Sequence, residues 1–239
     1  MWPTTTDFPG GTVGIPCGTV PRYLDFEHSL EGLRVPFGTH SLRMPGSNVT
    51  LNTEALADQM SGEWLWLMGD DHTFEPDILL KLLAHEVDVV VPLCVRRGPP
   101  FLSVLYKELD APKGICETYQ WEELHKLAGL IPIRGAGTAG MLIHRHVLEA
   151  IPKPRFKNIE VVVGLTAGED VSFSHRVNEA GLTIWADLDT VMGHIAPVDL
   201  RPVRGKEGWY TEGVFGRRSS PKGVRDMRVR MLLPPEDAD

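Results

Sequence analysis

The clearest apolar run is Trp64-Leu65-Trp66-Leu67-Met68. It is apolar at every position, the pattern of a strand covered on both faces. It stops at Gly69-Asp70-Asp71-His72. Pro76 then opens a helix whose apolar stripe is Leu79, Leu82 and Leu83; proline costs no hydrogen bond at the first helical position. Val87–Leu93 reads as a second buried strand. Strand, helix and strand at this spacing predict a βαβ unit and therefore a parallel sheet. Upstream, Thr12–Pro16 reads as a first strand, broken at Pro16-Cys17-Gly18, and Thr50–Met60 as a helix with Leu51, Ala55, Leu56 and Met60 on one side. Downstream, the small-residue stretch Gly135–Gly140 precedes apolar Met141-Leu142-Ile143 and a helix to Ile151. Gly164–Gly168 reads as a loop. Asp170–Ala180 predicts a helix with stripe Phe173, Val177 and Ala180, closed by Gly181. Leu182–Ala186 is a further strand, with Gly193-His194-Ile195 shortly after it. Residues 107–130 are too polar to assign.

These elements predict one α/β domain over residues 1–198 with a mostly parallel central sheet. The 239 residues suffice to bury a sizeable core without disulfides or structural metals. Hydrophobic residues make up 42% and charged residues 23%, which excludes a wholly disordered chain. The cysteines, Cys17, Cys94 and Cys116, are odd in number and show no CxxC spacing. That argues against a disulfide framework and suits a reducing cytoplasm. No run approaches the ~18 apolar residues of a spanning helix, and Met1–Gly10 lacks the pattern of a signal peptide.

Net charge is −8 but unevenly spread. Residues 200–231 hold nine Lys or Arg against three acids, a balance of +6, while residues 232–239 carry −3. The rest of the chain therefore holds −11, which excludes nucleic-acid binding by bulk charge. The basic stretch suits phosphate, on a small ligand or a polymer. Beyond residue 198 the chain, rich in Gly, Pro and Ser, is expected to be a basic C-terminal extension over 199–239, a mobile lid or tail rather than a domain.

Ligands of parallel α/β sheets bind outside the carboxyl ends of strands. Asp70 and Asp71 stand at such an end, where two carboxylates can hold Mg²⁺ or Mn²⁺. The competing reading is a polar turn. Glu169-Asp170 begins a helix, so the pair is either a cap or a general base facing a cleft. His194 follows a buried strand and can complete a metal shell begun by Asp71. The glycines of Gly135–Gly140 allow close backbone approach to a ligand.

In this order the segments Trp64–Leu83, Gly137–Ile151 and Gly168–Ile195 resemble glycosyltransferases of the GT-A (Rossmann-like) fold, in particular family 2 enzymes and those encoded by bacteriophages. The resemblance covers roughly residues 12–196. It implies a nucleotide-diphosphate sugar donor, Mn²⁺ or Mg²⁺, and a hydroxyl-bearing acceptor. In the family's Asp-x-Asp motif, counted back from Pro76, the two positions fall on Gly69 and Asp71. Asp71 then matches the metal ligand, and Asp70 is left to take over the ribose contact that Gly69 lacks. A second register, Asp70-Asp71-His72, fits an Asp-x-His variant with His72 on the metal. The resemblance further implies His194 as second metal ligand, Asp170 with neighbouring Glu169 as the catalytic pair, and donor contacts from Pro16, Gly18, Asn52, Gly137, Thr138 and Ala139. Asn52 is preceded by Leu51 where the family carries Arg.

The function expected is metal-dependent transfer of a sugar to a hydroxyl, with Asp170 as base. A phage setting points to an acceptor protein or a modified DNA base, in the host cytoplasm and without a membrane span. The alternatives are a catalytically degenerate nucleotide-sugar binding module and a metal-dependent hydrolase or nucleotidyltransferase using the same acids.

Overall fold

The structure, a computed structural model, describes residues 2–18, 23–162, 165–204, 206, 209–220 and 223–231. Its centre is a seven-stranded sheet. In chain order the elements around it are β1 (Thr12–Cys17), α1 (Leu24–Gly32), β2 (His40–Pro45), α2 (Val49–Gln59), β3 (Trp64–Leu67), α3 (Ile78–Leu83), β4 (Val89–Leu93), β5 (Leu130–Ile133), β6 (Met141–His144), α4 (Arg145–Ala150), α5 (Glu169–Glu179) and β7 (Ile184–Val191). The spatial order is β5-β7-β4-β6-β3-β1-β2.

The expected mostly parallel sheet is corrected here. β7 with β4, β3 with β1 and β1 with β2 pair in parallel, but β6 runs antiparallel between β3 and β4, and β5 runs antiparallel to β7. β3 and β4 do point the same way, as their helical crossover requires, yet they are not neighbours. A four-residue apolar run such as Met141–His144 carries no record of its direction. Direction comes from the route of the preceding chain, which brings Gly140 to the carboxyl-end side of β3. There the Trp66 indole donates a 2.8 Å hydrogen bond to the Gly140 carbonyl.

β3 is apolar throughout because both of its faces are covered. Leu65 and Leu67 of β3 join Leu56 of α2, Val147 of α4 and Phe173 of α5 in one core. Trp64, Trp66 and Met68 face the other core, with Phe26 of α1 and Leu79 and Leu82 of α3. Asn48 caps α2, its side chain accepting from the Leu51 amide at 3.1 Å.

The polar stretch around residues 107–130 contributes a small sheet in which Leu105–Asp110 pairs antiparallel with Ile115–Thr118 and with Gly135–Ala136. Of the loop expected at Gly164–Gly168, Gly164 lies outside the described residues, and Leu165–Ala167 pairs with Ile159–Val162.

Within the basic C-terminal extension, expected as a mobile lid or tail, the described residues make a three-stranded antiparallel sheet of β8 (Asp199–Arg204), β9 (Trp209–Ser220) and β10 (Gly223–Met231). The composition masks a period of two, in which Met227, Val229 and Met231 alternate with Asp226, Arg228 and Arg230. Phe215 of β9 packs edge-on against Phe101, with ring centroids 5.0 Å apart. Residues 232–239 lie outside the described residues. Among the described residues no helix is long and apolar enough to cross a membrane.

Phe173 stacks on Phe156 with ring centroids 4.3 Å apart, both fully buried. Phe173→Ala is expected to lower unfolding free energy by about 3–5 kcal/mol, read as a lower denaturant midpoint at unchanged slope.

Candidate metal centre

Three strand ends build the site. After β3 the chain turns through Gly69, Asp70 and Asp71, then forms a two-residue strand, His72–Thr73. After β7 it forms another, Gly193–His194, and the two pair antiparallel with His72 opposite His194. The Ile195 amide closes the pair on the Asp71 carbonyl at 2.8 Å. The imidazoles stack at 4.3 Å. The third end is that of β4, where Cys94 follows Leu93 and is fully buried. Since β4 and β7 are parallel neighbours, Cys94 arrives beside His194.

Two glycines make the close approach possible. A Cβ on Gly193 would stand 2.3 Å from the Thr73 hydroxyl, and one on Gly69 would stand 2.7 Å from Asp71 Oδ1 and 3.0 Å from the His72 ring. A side chain at position 69 would therefore press on Asp71 and His72 themselves.

The carboxylate of Asp71 is the hub. Its Oδ1 lies 3.1 Å from His72 Nδ1, and its Oδ2 lies 3.4 Å from His194 Nε2 and 2.9 Å from Arg97 Nη1. Burial works against its charge, but hydrogen bonds from His194 and His72 outweigh burial and hold it well below the usual carboxylate range. Burial also disfavours charge on the two imidazoles. Asp71 overcomes this, raising His72 to about 8 and His194 to about 9. The Cys94 thiol is pushed up by burial, yet the two histidines bring it down to about 7. His72, Cys94 and His194 each offer one ligand atom within 4.8 Å of the others.

A cleft of about 420 Å³ opens over this group. Its lining includes Pro16 and Gly18 at the end of β1, Thr138 and Ala139 before β6, and Asp70, Asp71, His72, Arg97 and His194. Of the other residues singled out in the sequence, Asn52 does not reach the cleft. It is buried and donates through Nδ2 to the Gly46 carbonyl at 3.1 Å, shaping the Gly46-Ser47 turn that does line it. Gly137 sits behind Thr138, and a Cβ there would lie 3.7 Å from Asp170 Oδ2. Asp170 therefore stands behind the 137–139 loop rather than in the cleft lining, with its Oδ1 accepting from the Val171 amide at 2.8 Å. Burial raises the Asp170 carboxyl above its ordinary value. Glu169, raised by burial and then by the charge of Asp170, lies beside Thr50 at the start of α2.

Cys94 and Arg97 were missed as site residues. The available signal was positional: Cys94 follows the buried run Val89–Leu93 as Asp70 follows Trp64–Met68, so both stand at strand carboxyl ends. Gly69→Ala is expected to displace the Asp71 carboxylate and weaken divalent-cation binding about 10- to 100-fold, read by titration calorimetry, with thermal unfolding of the cation-free protein little changed.

Neither a described protein family nor a curated protein matches the chain. Solved structures do. A197 from STIV is 14% identical, aligned over 95% of this chain and 98% of its own, with a TM-score of 0.48. GalNAc-T7, in a crystal structure with UDP, GalNAc and Mn²⁺, is 9% identical over 77% of this chain with a TM-score of 0.52. The alignment spans 44% of the GalNAc-T7 chain. The fold of this chain is GT-A-like.

Proposed function

We propose that the protein is a metal-dependent glycosyltransferase that moves a sugar from a nucleotide-diphosphate donor to a hydroxyl acceptor. The observation that carries this is the convergence of Asp71, His72 and His194 on the floor of a cleft at the strand carboxyl ends. The fold resemblance to GalNAc-T7, whose structure holds UDP and Mn²⁺, supports it. The residues offer donors to a divalent cation: His72, Cys94 and His194 each present one ligand atom to a shared volume, and the Asp71 carboxylate lies 3.1 Å from one imidazole and 3.4 Å from the other. A cation bound there supplies positive charge to a departing diphosphate.

This chain's residues divide the remaining work. Pro16, Gly18 and the Gly46-Ser47 turn form one wall for the nucleoside, with Asp70 at hand for the ribose. Thr138 and Ala139 form the opposite wall, towards the sugar. Arg97 contributes to both the cleft and an adjoining hollow lined by Val214 and Phe215 of β9, so it stands where a diphosphate would meet the basic sheet. Arginine suits that place because its fork binds phosphate through charge-assisted hydrogen bonds. Asp170, whose carboxyl burial raises above its ordinary value, serves as base for the acceptor hydroxyl, reached past the small residues of the 137–139 loop. The acceptor classes carried forward are a protein hydroxyl and a modified DNA base.

A panel of nucleotide-sugar donors tests the reading by thermal shift, with Zn²⁺ or Mn²⁺ in separate series and with chelator. A matching donor is expected to raise the melting temperature only when cation is present, and transfer is expected to need an added acceptor. Binding with no transfer to any acceptor extract would point to the binding-module alternative; rapid acceptor-independent breakdown would point to a hydrolase.

Asp170→Asn separates catalysis from stability. Transfer is expected to fall by at least about 10²-fold with donor binding retained. The Asp170 pKa is raised on folding, so its ionisation at neutral pH costs native stability, and that cost disappears as pH falls below the unfolded value of about 3.9. The variant is therefore expected to melt higher than the parent at pH 7, with the difference shrinking towards pH 4 in a calorimetric series.

A further inference from the structure

We propose that His72, Cys94 and His194 form a thiolate-containing centre that selects a borderline divalent cation of the zinc class over Mg²⁺ and Mn²⁺. The inference rests on the proposed function only for what the ion does; the site itself rests on the side chains.

Mg²⁺ and Mn²⁺ favour carboxylate, carbonyl and water oxygens, whereas imidazole and thiolate favour zinc and cobalt. Two acids at the end of β3 would suit the harder ions, and that was the expectation from the sequence. The structure adds donors of another kind. Cys94 lies fully buried, at 1% exposure, so it is shielded from solution partners and is a poor candidate for an accessible nucleophile. Its sulfur shares a volume with one nitrogen of each histidine, all within 4.8 Å of one another. A tetrahedral zinc ion holds such donors roughly 3.3–3.8 Å apart, given bonds of ~2.0–2.3 Å, so modest side-chain adjustment brings the three onto one ion.

The histidines are oriented for this. His194 Nδ1 lies 2.8 Å from the Val95 carbonyl, which leaves Nε2 towards the group. His72 Nδ1 lies 3.2 Å from the Gly69 carbonyl. Its Nε2 is buried, with the residue 4% exposed, and among the described residues it finds no nitrogen or oxygen partner, the Cys94 thiol being the group it interacts with. A ring nitrogen tied to a carbonyl while the other faces a cluster is the usual second-layer arrangement around metal-bound histidine. Three protein ligands leave the fourth position to Asp71 or to an incoming phosphate oxygen, the open position that catalytic zinc sites keep.

The test uses the full chain, stripped with chelator and titrated with Co²⁺. Wild type is expected to show the near-ultraviolet sulfur-to-cobalt charge-transfer band, saturating at one equivalent. Zn²⁺ should abolish it stoichiometrically, and Mg²⁺ or Mn²⁺ in about hundredfold excess should not. Cys94→Ser, and in parallel Cys94→Ala, should lose that band while keeping the parent far-ultraviolet dichroism; Cys17→Ser and Cys116→Ser should retain it. If both Cys94 variants fail to fold, X-ray absorption on the zinc-loaded wild type decides, one sulfur and at least two imidazoles being expected. A wild type without the band, a folded Cys94 variant that keeps it, displacement by Mn²⁺, or an all-oxygen and nitrogen shell would overturn the proposal. None of these readouts requires sugar transfer. A protein with the sulfur-ligated ion and no transfer activity would sink the function alone, and transfer with an oxygen-bound Mn²⁺ would sink the zinc-class centre alone.

Discussion

The site depends on one short pairing, His72–Thr73 against Gly193–His194. It joins residues more than a hundred positions apart and is sealed by the Ile195 amide on the Asp71 carbonyl. Each backbone hydrogen bond of this kind contributes only about 0.5–1.5 kcal/mol net, so the pair holds because the large sheet delivers both ends to it. β3 and β7 bring the chain to the same edge, and the glycines at 69 and 193 remove the atoms that would keep it apart. Without Gly193 the Thr73 hydroxyl would block the approach, and the stacked imidazoles would separate.

Charge then decides what the pairing is for. Three groups of basic character, His72, His194 and Arg97, surround the Asp71 carboxylate. Burial opposes charge on Asp71 and on both imidazoles, and their mutual attraction holds the carboxyl low and the imidazoles high. Under the function proposed above, a cation would have to take the place of protons on the imidazoles and would compete with Arg97 for Asp71. Cation and phosphate binding would then be coupled through one carboxylate, and Arg97 also borders the hollow lined by Val214 and Phe215.

The sequence showed β3, α3, β4, α5 and the pair Asp71 and His194 because each has a local signature. β3 is apolar at every position, and α5 carries a stripe closed by Gly181. Asp71 and His194 are polar residues at the ends of apolar runs, and they do come together. What was hidden had non-local causes. β6 takes its direction from the route of residues 94–140 rather than from its own four side chains. β9 and β10 carry their alternation under a load of arginines. Cys94 looks like any small apolar core residue until the register of β4 beside β7 puts its sulfur against two histidines. Asn52 donates to the Gly46 carbonyl and so holds the turn that lines the cleft, a contact set by tertiary structure rather than by its own neighbours in sequence.

The placement of Asp170 shows how the fold sets reactivity against stability. Its helix α5 begins at Glu169, so the helix dipole favours both carboxylates there. A fully stabilised carboxylate would be a weak base. Burial behind the 137–139 loop works the other way and raises its proton affinity towards the range where it can accept a hydroxyl proton. Gly137 keeps the path open, because any Cβ there would press on Val104 and approach the carboxylate. The same small-residue loop therefore lines the cleft at Thr138 and Ala139 and stands in front of the carboxylate that we propose as the base.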